Sequence, residues 1–246
     1  MNRPVLILGA TSAIARGTAA AFARRGHGLI LAGRDAAELE RDAANLRVRF
    51  GVGVRCAPFD AARHETHAAV VEQLRATSGV PEGVVLAFGY LGEQAKAARD
   101  FDEALRILDS NFIGAVSILD RIALDMEQRG SGFIVGIASV AGDRGRQSNY
   151  TYGAAKGGFA LYLQGLRNRL FPAGVQVLTV KPGFVDTGMT FGMPGLFLVA
   201  DPQQVGERIA RGVEEGRDVL YVPGFWRLIM WIIRTIPETV FKRLKL

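Results

Sequence analysis

Tyr152 and Lys156 are the outer residues of Tyr152-Gly153-Ala154-Ala155-Lys156, a spacing that sets a phenol and an ammonium one turn apart on one face of a helix. A tyrosine titrating near its ordinary value of about 10 exchanges protons poorly at neutral pH, and a neighbouring cation draws that value down by favouring the phenolate. Tyr150 has Ala154 at the same offset, so the pair is Tyr152 with Lys156. Ser139 follows the apolar run 133–138. A hydroxyl just past such a strand sits at the carboxyl edge of a parallel sheet, where it can hold a carbonyl oxygen beside the phenol.

A second cluster suits phosphate rather than proton transfer. The apolar Val5-Leu6-Ile7-Leu8 runs into Gly9-Ala10-Thr11-Ser12-Ala13-Ile14-Ala15, and a helical pattern follows. Small residues at a strand-to-helix turn let the backbone approach a pyrophosphate and aim free N–H groups at it. They are also what tight packing alone demands, so the turn leaves both readings open. The second apolar run ends Gly33-Arg34-Asp35. An acid at that place holds a ribose 2′-hydroxyl, whereas an arginine pairs with a 2′-phosphate, so Arg34 favours NADP(H) over NAD(H). The bland alternative makes Arg34 a solvated loop residue and Asp35 a helix cap.

The elements that must position these groups are legible as alternation. Apolar runs at 5–8, 29–32, 52–57, 84–88, 133–138, 175–180 and 219–222 read as strands, and helical patterns fall at about 14–26, 35–50, 63–78, 101–129, 150–171 and 202–215. Continuously apolar strands separated by helices predict a parallel sheet buried on both faces. The expected fold is therefore a single Rossmann-type doubly wound α/β domain with a seven-stranded parallel sheet and helices on both faces.

Composition agrees. The 246 residues are 49% hydrophobic and 22% charged, which excludes disorder and coiled coil. Cys56 is the single cysteine and reads as a small buried strand residue; with no export segment ahead of Val5, the expected setting is reducing and cytoplasmic. His64 and His67 could share a metal, but no further ligand is near in sequence, so a solvated helix face is the preferred reading and no metal is expected. Of the net charge of +6, four units lie in residues 222–246, where Arg227, Arg234, Lys242, Arg243 and Lys245 face Glu238 alone. The basic character belongs to the tail, so nucleic acid is not an expected partner.

Taken together, the turn at Gly9, Asp60 after the third strand, Ala87-Phe88-Gly89 after the fourth, Asn111 in the long helix, Ser139, Tyr152, Lys156 and Pro182-Gly183 with Thr187 resemble the short-chain dehydrogenase/reductase family in order and spacing over nearly the whole chain. The resemblance implies an NADPH-dependent carbonyl reductase. Tyr152 would be its general acid, Ser139 would polarise the carbonyl, Lys156 would bind the nicotinamide ribose, and Asn111 would hold a proton-relay water. It also implies cofactor contacts at Gly9, Thr11, Ser12, Ala13, Ile14, Arg34, Asp60, Ala87, Phe88, Gly89, Tyr152, Lys156, Pro182, Gly183, Val185 and Thr187, with Asp60 at the adenine amino group. Two departures stand out: the family's second and third turn glycines are Ala13 and Ala15, and its Asn-Asn-Ala-Gly-like segment reads Ala87-Phe88-Gly89-Tyr90. Alternatives are a soluble ketone or 3-oxoacyl-type reductase, and a non-catalytic NADP-binding regulatory protein; the intact Ser139, Tyr152 and Lys156 weigh against the last.

Beyond Thr187 an apolar stretch at about 188–200, with Gly188, Gly192 and Gly195, corresponds to the family's substrate lid; packing on the core or on another subunit is the alternative. Residues 1–223 are read as the reductase domain and 224–246 as an amphipathic basic extension. Phe225–Ile236, which holds both tryptophans, is too short to span a bilayer. Its apolar face, tryptophans and basic flank match a helix lying on an anionic membrane surface, which would place the protein peripherally on the cytoplasmic membrane. The alternative is a subunit-interface helix, since the family usually forms homodimers or homotetramers. The tail and Ala87–Gly92 further resemble the branch of decaprenylphosphoryl keto-pentose (erythro-pentofuranosid-2-ulose) 2-reductases, which implies a small-molecule or lipid-linked carbonyl substrate, such as a 2-keto sugar on a polyprenyl phosphate.

Overall fold

Along Val5–Leu8 (β1), Val5 and Ile7 pack into one apolar cluster and Leu6 and Leu8 into another, and all four are fully buried. A strand buried on both faces must be central, and the computed structural model, which describes residues 3–189, 192 and 198–244, places β1 there. The other strands are β2 (Leu29–Gly33), β3 (Val54–Pro58), β4 (Gly83–Leu86), β5 (Gly132–Ile137), β6 (Val175–Pro182) and β7 (Val219–Val222). All pair in parallel in the order β3-β2-β1-β4-β5-β6-β7. The fold is the doubly wound domain with seven parallel strands expected from the sequence.

The helices are α1 (Ala13–Arg24), α2 (Ala36–Phe50), α3 (His67–Ser78), α4 (Gln94–Ala97), α5 (Phe101–Leu108), α6 (Gly114–Arg129), α7 (Tyr150–Leu170), α8 (Pro202–Glu214), α9 (Trp226–Thr235) and α10 (Glu238–Phe241). Buried residues of α1, α2 and α8 cover one face of the sheet, and those of α3, α6 and α7 the other. The chain winds outward from β1 in both directions, so the connections that leave the paired carboxyl ends of β1 and β4 diverge at a switch point where ligands of such sheets bind. On the first face α1 and α8 touch backbone to backbone: a Cβ on Gly206 would fall 2.1 Å from the Gly17 carbonyl carbon.

Four expectations change. The pattern over 101–129 is not one uniform helix: a π-helical turn, Asp109–Ile113, separates α5 from α6. A π turn adds one residue to a helical turn, a local shift that the coarse apolar pattern over 101–129 does not register. β3 is an edge strand with three of its five residues exposed, and Cys56 on it is exposed rather than buried. Its Sγ lies 3.4 Å from the Glu40 carboxylate; desolvation of the sulfur and that hydrogen bond push the thiol up to about 11. His67 is not solvated but fully buried, with Nδ1 3.0 Å from Ser117 Oγ and Nε2 3.0 Å from the Asp60 carbonyl. Finally, Trp226 in the tail is buried at 2% exposure, so only Trp231 of the two tryptophans is open to solvent.

Gly206→Ala should lower the unfolding free energy by about 3 kcal/mol through overpacking, read from urea denaturation; a loss under about 0.5 kcal/mol, the scale of ordinary surface changes, would contradict the α1–α8 contact.

Candidate active site

Tyr152 and Lys156 lie on the first turns of α7, with side chains inside the protein at 8% and 4% exposure. Lys156 Nζ donates to the Ile137 carbonyl at the end of β5, 2.9 Å away, and stands 5.9 Å from the centre of the Tyr152 ring. The loop after β5 comes close enough to complete the group because glycines face each other across it: a Cβ on Gly142 would lie 2.6 Å from the Gly157 nitrogen. Ser139 caps the short turn 140–142, its Oγ accepting from the Ala141 N–H at 3.1 Å, and its hydroxyl is near enough to the Tyr152 phenol to favour the phenolate.

Burial decides the electrostatics. It pushes the Tyr152 phenol up to about 12, the Ser139 hydroxyl pulling it partly back, and pushes the Lys156 ammonium down to about 8. The expected lowering of the phenol by its cationic neighbour is therefore outweighed by desolvation, which disfavours the charged form of either group. At neutral pH the pair is a neutral phenol beside an ammonium: the phenol carries the proton that a general acid needs, while desolvation makes it a weaker acid than a free tyrosine.

Asn111 sits in the π turn, where it is buried at 1% exposure. Its amide nitrogen donates to the carbonyls of Tyr90, at 2.6 Å, and Ile107, at 2.7 Å, while Oδ1 accepts from the Tyr90 N–H at 3.3 Å. The side chain thus holds the Gly89–Tyr90 backbone and keeps one Oδ1 lone pair in reserve. Glu103 finishes that loop, its Oε1 accepting from the Tyr90 hydroxyl at 2.8 Å and from the Glu93 N–H at 3.1 Å.

These groups open into a cleft of about 750 Å³ across the carboxyl edge of the sheet. Every cofactor position suggested by the sequence lines it: Gly9 and Thr11–Ile14 at one side, Arg34 and Asp60 beyond them, Ala87–Gly89 at the centre, and Pro182, Gly183, Val185 and Thr187 beside Tyr152 and Lys156. Ser139 lines it too, whereas Asn111 lies behind the wall. Gly9 adopts φ +76°, a conformation that other residues rarely take. Ser12 caps α1, its Oγ accepting from the Ala15 N–H and donating to the Ala87 carbonyl, which ties the turn to the end of β4. The first N–H groups of α1 have no partner within the helix and carry its positive end into the cleft. Asp35 caps α2, while Arg34 stays exposed at the rim.

Sequence reasoning missed several lining residues. Arg16 stands one turn into α1, paired with Glu38 and with Asp42 at 2.8 Å; Arg106 stacks on the Tyr90 ring at 4.3 Å; Phe59, Ser110 and Met189 complete the wall. Only the four-residue spacing of Arg106 and Ser110, one face leading to Asn111, could have signalled any of them. Among the described residues no cluster of three His, Cys, Asp or Glu could hold a metal. Residues 190, 191 and 193–197 of the expected lid lie outside the described residues; its flanks are tied, with Val185 and Ala200 forming a parallel bridge.

A parallel sheet with a small-residue βα turn, and a buried Ser-Tyr-Lys group at its carboxyl edge, define a nicotinamide-nucleotide oxidoreductase by fold and site. Residues 3–193 match the family model of the short chain dehydrogenases, and the chain belongs to that family. It is similar to an uncharacterised oxidoreductase of Mycobacterium tuberculosis, 36% identical over 241 residues covering 98% of this chain and 96% of that protein. One from Streptomyces coelicolor is also 36% identical, over 244 residues with the same coverage. Among solved structures, a short-chain dehydrogenase from Sphingobium yanoikuyae in complex with NADPH superposes with a TM-score of 0.83 at 26% identity, covering 96% of each chain. The protein is thus an NAD(P)H-dependent oxidoreductase of the short-chain type.

The buried ammonium has a measurable signature. With Lys156 lowered from 10.5 to about 8, the folded state releases its proton first, so stability rises with pH between those values and the penalty is fully present below them. Relative to Lys156→Met, wild type without added nucleotide should gain about 3 kcal/mol of unfolding free energy between pH 7.5 and 10.5. A gap independent of pH in denaturant titrations would contradict the burial.

Proposed function

We propose that the protein reduces a ketone with NADPH, Tyr152 acting as general acid. The observation that carries this reading is the placement of the Tyr152 phenol, 8% exposed, in one cleft with Ser139 and with Lys156, whose ammonium stands 5.9 Å from the ring. The cleft's small-residue turn, the open end of α1 and its extent from Arg34 to Tyr152 fit a dinucleotide. The backbone of Thr11–Ile14 would hold the pyrophosphate, Arg34 the 2′-phosphate, Asp60 the adenine amino group, Lys156 the nicotinamide ribose, and Pro182, Gly183, Val185 and Thr187 the nicotinamide end. A bound nicotinamide cofactor supplies the hydride. Ser139 orients the carbonyl oxygen, Tyr152 protonates it, and the spare Oδ1 lone pair of Asn111 accepts from a water that returns the proton.

The exposed rim position of Arg34 supports NADPH over NADH, as does the NADPH bound by the Sphingobium relative. For the substrate we favour a lipidic ketone, in the narrowest form a 2-keto sugar on a polyprenyl phosphate, on the strength of Met189 at the cleft, the apolar composition of 188–200 and the tail. Phe225, Leu228, Trp231, Ile232, Val240 and Leu244 are exposed on α9 and the residues that flank it, beside the basic Arg227, Arg234, Lys242 and Arg243. This is the charge and apolar pattern of a surface resting on anionic lipid at the cytoplasmic face of a membrane. Among the described residues no helix is long and apolar enough to cross one. We place a homodimer or homotetramer beside it as the assembly, with 1–223 as the reductase domain and 224–246 as the lipid-facing extension.

Following NADPH oxidation over a panel of hydrophobic and soluble ketones, Tyr152→Phe should lower kcat by about 10²- to 10⁴-fold; equal turnover, or none by wild type on any ketone, would refute the assignment. Arg34→Ala should weaken NADPH binding by about tenfold or more while leaving NADH within about twofold, measured by calorimetric titration; equal losses for both nucleotides would remove Arg34 from the 2′-phosphate.

A further inference from the structure

The tail is fastened to the catalytic edge of the sheet at both of its ends. At the start of α9 the Trp226 indole packs so closely on Gly183 that a Cβ there would fall 1.9 Å from Nε1, and it stands edge-on to Phe184 with ring centres 5.6 Å apart. Gly183 lines the nicotinamide end of the cleft. Trp226 and Met230 are also buried against Val140, the residue after Ser139. At the other end, Arg144 reaches out of the loop between Ser139 and Tyr152. Its guanidinium donates to the carbonyls of Ile233 at 2.8 Å, Arg234 at 3.2 Å and Ile236 at 2.6 Å, pairs with Glu238 at 2.9 Å and stacks on Phe241 at 3.8 Å.

One side chain thus satisfies the orphan carbonyls of the last turn of α9, which ends at Ile236 in extended backbone with no glycine cap. It is only 13% exposed, so its bonds to the Ile233 and Ile236 carbonyls are partly withdrawn from water, whereas its ion pair with the 75% exposed Glu238 is open to solvent and salt. No comparable fastening is needed to bury Trp226 and Met230, which the apolar contacts already do. What Arg144 adds is a rigid connection from the tail to the loop that carries Ser139.

We infer that Arg144 is a positioning residue that couples the tail to the active site: contact of the outer face of α9 with an anionic bilayer is transmitted through Arg144 and Trp226 to Gly183 and the Ser139 loop, and changes nucleotide affinity. The inference rests on the lipid-facing reading of the tail. By linkage, bound NADPH changes bilayer affinity by the same factor.

Trp231→Phe keeps an apolar outer face and leaves Trp226 as the sole tryptophan of the two. NADPH is titrated into this protein by energy transfer from Trp226, with and without phosphatidylglycerol–phosphatidylcholine vesicles, and the same samples are floated on a density gradient. The protein should float, and its Kd for NADPH should shift by about fivefold or more on vesicle addition, the lower end of the usual range of allosteric coupling. Arg144→Ala on that background should float with the shift abolished, and Arg144→Lys, which keeps the charge without the fork, should show a reduced shift. Flotation with an unchanged Kd, or an equal shift in both Arg144 variants, overturns the coupling and leaves the lipid-facing tail standing. Failure of the Trp231→Phe protein and of wild type to float overturns both. If Arg144→Ala does not fold, a full shift in Arg144→Lys is the overturning result.

Discussion

The hydrogen bond from the Lys156 ammonium to the Ile137 carbonyl joins the helix that carries Tyr152 to the strand that leads into Ser139. A buried ammonium needs such a partner, because an unpaired charge in the interior costs several kcal/mol. The carbonyl it uses is the last of β5, so the bond sets the height of α7 against the sheet edge. Glycines at 142 and 157 then let the loop after β5 close onto the helix, which brings the Ser139 hydroxyl to the phenol. Larger residues at either place would hold the two elements apart, and Ser139 and Tyr152 would face the cleft without meeting.

The sheet supplies the rest. Because all seven strands run in parallel, their carboxyl ends share one edge, and residues as far apart in sequence as Gly9, Asp60, Ser139 and Gly183 line one cleft. The family's polar segment after β4 is here Ala87-Phe88-Gly89-Tyr90, and its backbone is held from other elements. Asn111 grips Tyr90 from the π turn, and Glu103 takes the Tyr90 hydroxyl. Polar groups on α5 and the π turn do the positioning that the strand-end segment's own side chains do not.

The tail has two faces with different consequences. Its inner face, Trp226 and Met230 with Ile229 and Ile233 beside them, is continuous with the packing behind Val140, Phe184 and Tyr221. Its outer face exposes large apolar side chains among basic ones. A helix apolar on both sides is ordinarily covered on both sides, and the inner contacts reach the loop that holds Ser139. Asp143 in that loop is bound to Lys181 of β6 and to the Tyr221 hydroxyl of β7, so loop, strands and tail form one connected unit.

How much was legible without coordinates follows from which interactions are local. The alternation of apolar runs and helical patterns determined the parallel sheet, since a strand buried on both faces must be apolar throughout, and the four-residue spacing determined that Tyr152 and Lys156 share a face. Burial of a single side chain is different, because it depends on elements distant in sequence. Cys56 looked interior until β3 proved to be an edge; His67 looked solvated until Ser117 and the Asp60 carbonyl enclosed it; the phenol, expected to be lowered by its neighbour, is raised because both groups lie out of water. The π turn around Asn111 left no trace in the periodicity. The sequence by itself determined the architecture and the shared face of Tyr152 and Lys156 through patterns that repeat within one helix or strand, whereas the protonation states, the grip of Asn111 on Tyr90 and the docking of the tail through Arg144 were decided only when tertiary packing brought distant segments into contact and excluded water between them.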